Sequence, residues 1–363
     1  MKERNIEGLN EGTLNVEILS DLVLSFVVTF KESVLQRFHR NKTSVLDKKF
    51  TEFILIEAAR ALYRDAPVSF YERLSYNHEL REALGLEHLD DLEKYEEYDR
   101  KRKKLKHHLD RVSKRNLKTS GSKIFALDTV IVEMDVNKLR SGKKVKKGLL
   151  GSEFMYSSSK GTVVGVQIAV LVNITKFSLE KIDIYSKRAA KKRIWKEMVI
   201  DKLGTYRGKK KKVIADAGFF AYDNYTRSVL RRIKPIIKIR SGCEDKLEKK
   251  LKNVNTEIEW FDKVQSDLID ELMVDFREII SSTIEGAKNY DEVKKIRGEI
   301  EHIFKAAKML FGMENLHLYD KEKALTKSFV AIYVSTIFYQ LLKTNQINHN
   351  RAIPLLAQRR DLF

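Results

Sequence analysis

"KIFALDTVIVEMDV", Lys123 to Val136, is the stretch on which the fold turns. It is rich in β-branched residues and apolar on both sides of its alternation, as a strand covered on both faces should be. Asp128 interrupts its apolar part, and Glu133 and Asp135 follow near its end. Just upstream, Thr119 to Lys123 is a polar, glycine-containing linker. Downstream, "GTVVGVQIAVLVNI" (Gly161 to Ile174) reads as a second strand and "LEKIDIYS" (Leu179 to Ser186) as a third. A basic helix follows, "KRAAKKRIWKEMVIDKLG", and then "VIA" as a fourth strand ending at Asp216. "FFAYDNYTRSVLRRI" reads as a helix. "PIIKIR" (Pro235 to Arg240) is a fifth strand with proline at its start, where a missing N–H matters least. Three consecutive strands followed by strand–helix alternation predict an α/β fold, a mixed five-stranded sheet flanked by helices.

Further out the chain reads as helical. Residues 1–118 form a mostly helical amino-terminal region, in which "SFYERLSYNHELREALGL" predicts two short helices broken near Ser75 to Asn77. "LEKYEEYDRKRKKLKHHLDRVSKR" turns from acidic to strongly basic, either a solvated helix face or a helix lying along phosphates. Residues 119–242 hold the first part of the sheet domain. A helical insertion over 243–290 carries Ile258, Phe261, Leu268, Leu272, Phe276 and Ile279 at helical spacing. The closing helices of the sheet domain occupy 291–345, including the apolar "ALTKSFVAIYVSTIFYQLLK", and 346–363 is a tail.

The chain has 363 residues, with 70 Lys and Arg against 51 Asp and Glu, a formal net charge of +19. Such an excess points to a polyanionic partner, most often nucleic acid. The single cysteine, Cys243, excludes a disulfide framework and a multi-cysteine zinc site, and the eight histidines show no ligand spacing. No signal peptide is evident, and the apolar run Ile18 to Phe30 is too short to span a bilayer. A cytoplasmic, nucleoid-associated protein with no membrane partner is expected.

Asp128 lies inside the first strand and Asp216 at the carboxyl end of the fourth, where ligands collect in open α/β sheets. The third acid comes from "EVKKIRGEIEHIFKAAKMLFG" (Glu292 to Gly312). On a helical projection with Arg297 at zero, Glu301 falls at about 40°, Lys308 at about 20° and Lys294 at about 60°. Ile296, Ile300, Ile303, Ala307 and Leu310 form a separate apolar stripe. An Arg–Glu pair four residues apart is commonly an ordinary surface pair. What raises its interest is the combination: one acid in a strand, one at a strand end, one on a helix. Carboxylates so placed suit hard divalent cations that activate an oxygen nucleophile and stabilise a leaving oxygen in phosphodiester chemistry. Arg297 and Lys308 would hold phosphates beside them.

Arg297, Glu301 and Lys308, spaced Arg-x3-Glu-x6-Lys, resemble the Tyr-Arg-Glu-Lys signature of the DDE transposases of prokaryotic insertion sequences. Lys294 stands where that signature has tyrosine, with Tyr290 one turn away. "VIADAGFF" is similar to the family's Asp-x-Gly-aromatic turn, and "ALDTVIVEM" with "FMYSSSKGTVVGVQIAVLV" to its first-acid strand and hairpin. The resemblance implies a ribonuclease-H-like core in which Asp128, Asp216 and Glu301 are catalytic and bind two Mg²⁺ ions, with Mn²⁺ able to substitute. It implies DNA contacts through Arg297, Lys308 and Lys294, and base stacking by Trp260 or Trp195, Trp260 being the better placed. Asp135 is an alternative first ligand. The implied activity is cut-and-paste DNA transposition: cleavage at the terminal inverted repeats, then strand transfer into target DNA by a homodimer on paired ends. A nuclease of the same fold without strand transfer, or a DNA-binding derivative without catalysis, are the alternatives. The runs Lys143 to Lys147, Lys187 to Arg193 and Lys209 to Lys212 are candidates for backbone contact.

Overall fold

The computed structural model describes residues 28, 56, 59–61, 63, 67–86, 123–133, 154–157, 161–175, 177–185, 188–204, 211–240, 242–261, 267–313, 321–344 and 346–358. Of these, 67–68, 154, 157, 254–261, 267–276, 292, 321–324, 326 and 355 are described by backbone alone. They belong to two compact units, one drawn from 109–301 and 315–325, the other from 1–108, 302–314 and 326–363. The strands are β1 (Lys123–Glu133), β2 (Phe154–Ser157), β3 (Gly161–Asn173), β4 (Ser178–Tyr185), β5 (Lys211–Ala215) and β6 (Ile233–Ile237). The helices are α1 (Pro67–Tyr76) and α2 (His78–Leu84), then α3, which starts at Lys191–Trp195, opens into a π turn over Lys196–Ile200 and closes with Asp201–Leu203. After them come α4 (Tyr222–Leu230), α5 (Glu244–Phe261), α6 (Asp267–Lys288), α7 (Tyr290–Met309), α8 (Lys321–Thr344) and α9 (His349–Gln358).

The sheet runs β2-β3-β1-β5-β6, with β4 also paired to β3. β3 is antiparallel to β1, β2 and β4, whereas β1–β5 and β5–β6 are parallel, so the sheet is mixed. Two sequence expectations need correction. The sheet has six strands among the described residues, because Phe154–Ser157 pairs with Gly161–Val164 in a hairpin; four residues are too few for alternation to announce a strand. The last strand begins at Ile233, so Pro235 is its third residue. It is tolerated there because β6 lies at the end of the strand order, where a backbone N–H can go without a ladder partner.

Alternation gives this sheet two different faces. Phe125, Leu127, Val213, Ala215, Ile233 and Ile237 pack with Ile194, Trp195, Met198, Val199 and Leu203 of α3 in one large apolar core. Ile124, Ile214 and Ile236 point the other way and pack with Tyr290, Val293 and Ile296 of α7. At about 25 cal/mol per Å² of apolar area, the larger cluster holds the sheet and α3 together.

In the other unit, α1 and α2 break at Asn77, whose side chain caps α2 by accepting the Leu80 N–H at 2.9 Å. Gly85 ends α2 at φ 71°, a left-handed conformation that favours glycine. α8 buries Phe329 to Val334 and Ile337 to Tyr339, and satisfies the Ser335 hydroxyl on the Ala331 carbonyl at 2.7 Å. The stretch read as a tail contains α9, which buries Ala352, Ile353 and Leu356. No helix among the described residues is long and apolar enough to cross a membrane.

Candidate active site

β1 and β5 are parallel neighbours, paired from Lys123↔Lys211 to Leu127↔Ala215. Asp128 and Asp216 are the next residue on each, so they stand side by side, Asp216 just past the carboxyl end of β5 and Asp128 within β1, which runs on to Glu133 and pairs Asp128 with Val170 of β3. Both belong to the alternation that points toward α7. The chain then turns sharply after Asp216 into a 3₁₀ turn, Ala217–Phe219, closed by the Phe219 N–H on the Asp216 carbonyl at 3.1 Å. Asn224 fixes that turn from α4, its buried amide donating to the Phe219 carbonyl at 2.7 Å. Gly218 packs closely on the acid: a Cβ there would stand 3.1 Å from Asp216 Oδ1 and crowd it.

α7 covers this face of the sheet. Of the apolar stripe predicted from spacing, Ile300, Ile303 and Ala307 on α7 and Leu310 just after it are buried, and Ile296 is partly buried. Arg297 lies at the border of that stripe, 18 % exposed, and its Nη1 donates to Asp128 Oδ2 at 3.3 Å. Its Nη2 donates to Glu301 Oε1. One guanidinium therefore joins the strand acid to the helix acid. The pair Arg297–Glu301 is no ordinary surface contact, since Asp128 is only 14 % exposed although Glu301 is 52 % exposed. Tyr290 anchors the start of α7, its buried hydroxyl donating to the Ala215 carbonyl at 3.2 Å, immediately before Asp216.

The electrostatics are those of crowded acids. Asp128 Oδ1 accepts its neighbour's N–H, from Thr129, at 2.7 Å. Even so, burial, with the negative charge of Asp216 beside it, pushes the Asp128 carboxyl up to about 6. Asp216 Oδ1 is buried without a hydrogen-bond partner. An orphaned carboxylate oxygen next to a carboxylate held partly protonated is a site short of positive charge, and its all-oxygen donors suit a hard divalent cation. Asp128 and Asp216 fit such an ion. Among the described residues no group of three acidic, histidine or cysteine side chains encloses one, because Glu301 is turned to Arg297 instead.

A further cation reaches this place from α3. Lys191 Nζ donates to Thr129 Oγ1 at 2.5 Å and lies 4.2 Å from the centre of the Phe219 ring. Burial pulls its ammonium below the usual lysine range, while Asp216 and Asp128 oppose that shift. The sequence marks the whole run Lys187 to Arg193 as a candidate for backbone contact but does not single out Lys191 within it. Its neighbours in the run are turned to surface carboxylates: Lys192 pairs with Asp223, and Arg193 with Glu197.

The other predicted residues are dispersed. Lys294 is exposed on α7, and Lys308 is half-buried on the part of α7 that belongs to the other compact unit. Trp195 is a core residue, fully buried, its indole N–H donating to Ser228 Oγ at 2.9 Å, and it has no face for a base. The Trp260 side chain, Asp135 and the run Lys143 to Lys147 lie outside the described residues. Lys211 is buried and donates to the Leu203 carbonyl at 2.6 Å. Lys212 instead lines a cavity of about 250 Å³ with Lys234, Glu285 and Asn289. Lys211 and Lys212, the first two residues of β5, thus lie on opposite faces of the sheet.

A family model described as "Transposase DDE domain" matches residues 119–336. Among solved structures, a piggyBac transposase synaptic complex with hairpin DNA, determined by cryo-EM, is similar at 11% identity with a TM-score of 0.36. That likeness covers 94% of this chain and 78% of the other, and at such a score no detail of either molecule transfers. No curated protein matches the sequence.

Proposed function

The chain belongs to the transposase DDE-domain family, whose members cleave DNA and transfer its strands, and from that premise we propose that Asp128, Asp216 and Glu301 are its catalytic carboxylates. The proposal includes a ribonuclease-H-like core, read from the strand order around β1, and cut-and-paste transposition of an insertion sequence between DNA sites. The observation that carries it is the adjacency of Asp128, within β1, and Asp216, just past the end of the parallel neighbour β5, with Asp128 pushed up to about 6 by burial and by its neighbour. Two Mg²⁺ ions, with Mn²⁺ able to substitute, would supply Lewis acidity toward phosphate oxygens and a nucleophile deprotonated near neutral pH.

The chain's own residues do the rest. Asp128 and Asp216 are the ligands fixed by the sheet, while Glu301 is the adjustable one, half exposed and supplied by a helix. Arg297 spends its guanidinium on Asp128 and Glu301. A DNA phosphate offers the same fork a competing bidentate acceptor, so phosphate binding at Arg297 releases both carboxylates. DNA and divalent ions therefore bind with positive coupling, which by linkage acts in both directions. Lys294 and Lys308 on α7, and Trp260 on α5, complete the contacts to the terminal repeat, and a homodimer pairs two ends.

The test is a strand-transfer assay with precut duplexes carrying the DNA that flanks the coding sequence. Wild type with Mg²⁺ should yield joined products, and D128N should yield none. Cutting without joining would instead favour a nuclease of the same fold, and binding without cutting a DNA-binding derivative.

A further inference from the structure

We propose that Lys191 is a phosphate-binding residue of this active site, its ammonium donating to a non-bridging oxygen of the DNA phosphate presented to Asp128 and Asp216. The inference deepens the transposase reading and rests on it. Its basis is position. Lys191 touches the segments following both sheet acids: Thr129, next after Asp128, and Phe219, three after Asp216. It comes from α3, against the face of the sheet opposite α7, so cations approach the acids from both sides of the sheet, Arg297 from one and Lys191 from the other.

The chemistry of an ammonium fits the role. It has three donors. Thr129 Oγ1 takes one, and the Phe219 ring offers its π face, which attracts a cation without consuming a hydrogen bond in the usual geometry. Neither Asp128 nor Asp216 forms an ion pair with it, although both act on it electrostatically. An ammonium held this way keeps donor capacity beside two acids without binding either, and a lone compact charge binds a phosphate oxygen as lysine commonly does. Burying a lysine carries a desolvation cost that an ordinary solvated basic run avoids. Lys192 and Arg193, one and two residues further on, pair with carboxylates at the surface.

The test compares wild type, K191M and K191R in binding a fluorescein-labelled duplex carrying the DNA that flanks the coding sequence, in Ca²⁺, across a salt series. Cleavage in Mg²⁺ is measured in parallel. K191M should lower affinity about tenfold and make the salt slope shallower by about 0.9, the signature of one lost phosphate contact. K191R should keep the wild-type slope and lose cleavage, because the guanidinium fork cannot occupy the space between Thr129 and Phe219 that the ammonium fills. If K191M folds poorly, K191Q carries the same comparison. Wild-type slope and affinity in the uncharged variant would overturn the proposal, since a purely structural lysine would not change the slope. A wild type that neither binds nor cuts this DNA would overturn the transposase reading instead.

Discussion

The two faces of one sheet differ in a single respect that decides what each can do. Toward α3, β1 presents Phe125 and Leu127 and β5 presents Val213 and Ala215, closed over by Trp195, Met198 and Phe219. Toward α7, the same strands present Ile124 and Ile214, and the alternation carries on to Asp128 within β1 and to Asp216 just past β5. The first face is a finished core with every large side chain packed. The second is a core interrupted by two acids and completed by the charges of α7. Rigidity on one side is what lets the other hold two like charges together, a tension that a loose sheet would relieve by separating its strands.

Exchanging the chemistry across the faces should produce the largest effect. D128N or D216N should reduce Mg²⁺-dependent DNA cleavage by about 10³-fold or more while leaving the fold intact, measured as initial rates on a labelled duplex. W195A does the converse. Removing a fully buried indole from the closed face should cost about 3–5 kcal/mol in urea denaturation, and any loss of cleavage should follow the folded fraction.

The raised carboxyl of Asp128 makes a smaller, signed prediction. Below about 3.8 Asp128 is protonated whether the chain is folded or not; between there and about 6 the folded protein keeps a proton that the unfolded chain releases. The metal-free protein should therefore lose stability relative to D128N as pH rises through that window, by at most about 3 kcal/mol. Denaturation midpoints of the two proteins at several pH values would check it, and parallel curves would mean that Asp128 is not held in its protonated form. Smallest of all, Y290F should cost about 1 kcal/mol by removing the hydrogen bond to the Ala215 carbonyl, with DNA affinity unchanged. A loss of affinity in place of stability would mean that the hydroxyl serves phosphate and not the backbone.

Much of this was legible in sequence because it was local. The strand "KIFALDTVIVE" announces itself by β-branching, and the helical projection alone separates the Ile300 stripe from Arg297 and Glu301. The break at Asn77 follows from its capping chemistry. What stayed hidden depends on distant pairings. That β1 and β5 are neighbours, that Tyr290 reaches the Ala215 carbonyl, and that Arg297 spans from helix to strand are long-range facts that no period encodes. Lys191 was hidden differently, by resemblance to its neighbours: in a run of lysines, which one turns inward is decided by the π turn and packing of α3. Trp195 was the weaker of two stacking candidates, and its partner Ser228 lies in a helix whose packing the sequence does not state.

The account stands or falls on three carboxylates sharing divalent cations. The most direct measurement is Mn²⁺ binding followed by electron paramagnetic resonance, with and without duplex DNA, for wild type, D128N, D216N and E301Q. Each substitution should weaken binding by about tenfold or more, as loss of a charged ligand does, and DNA should tighten it only where Arg297 has carboxylates to release. Four proteins that bind Mn²⁺ equally well, with or without DNA, would contradict it.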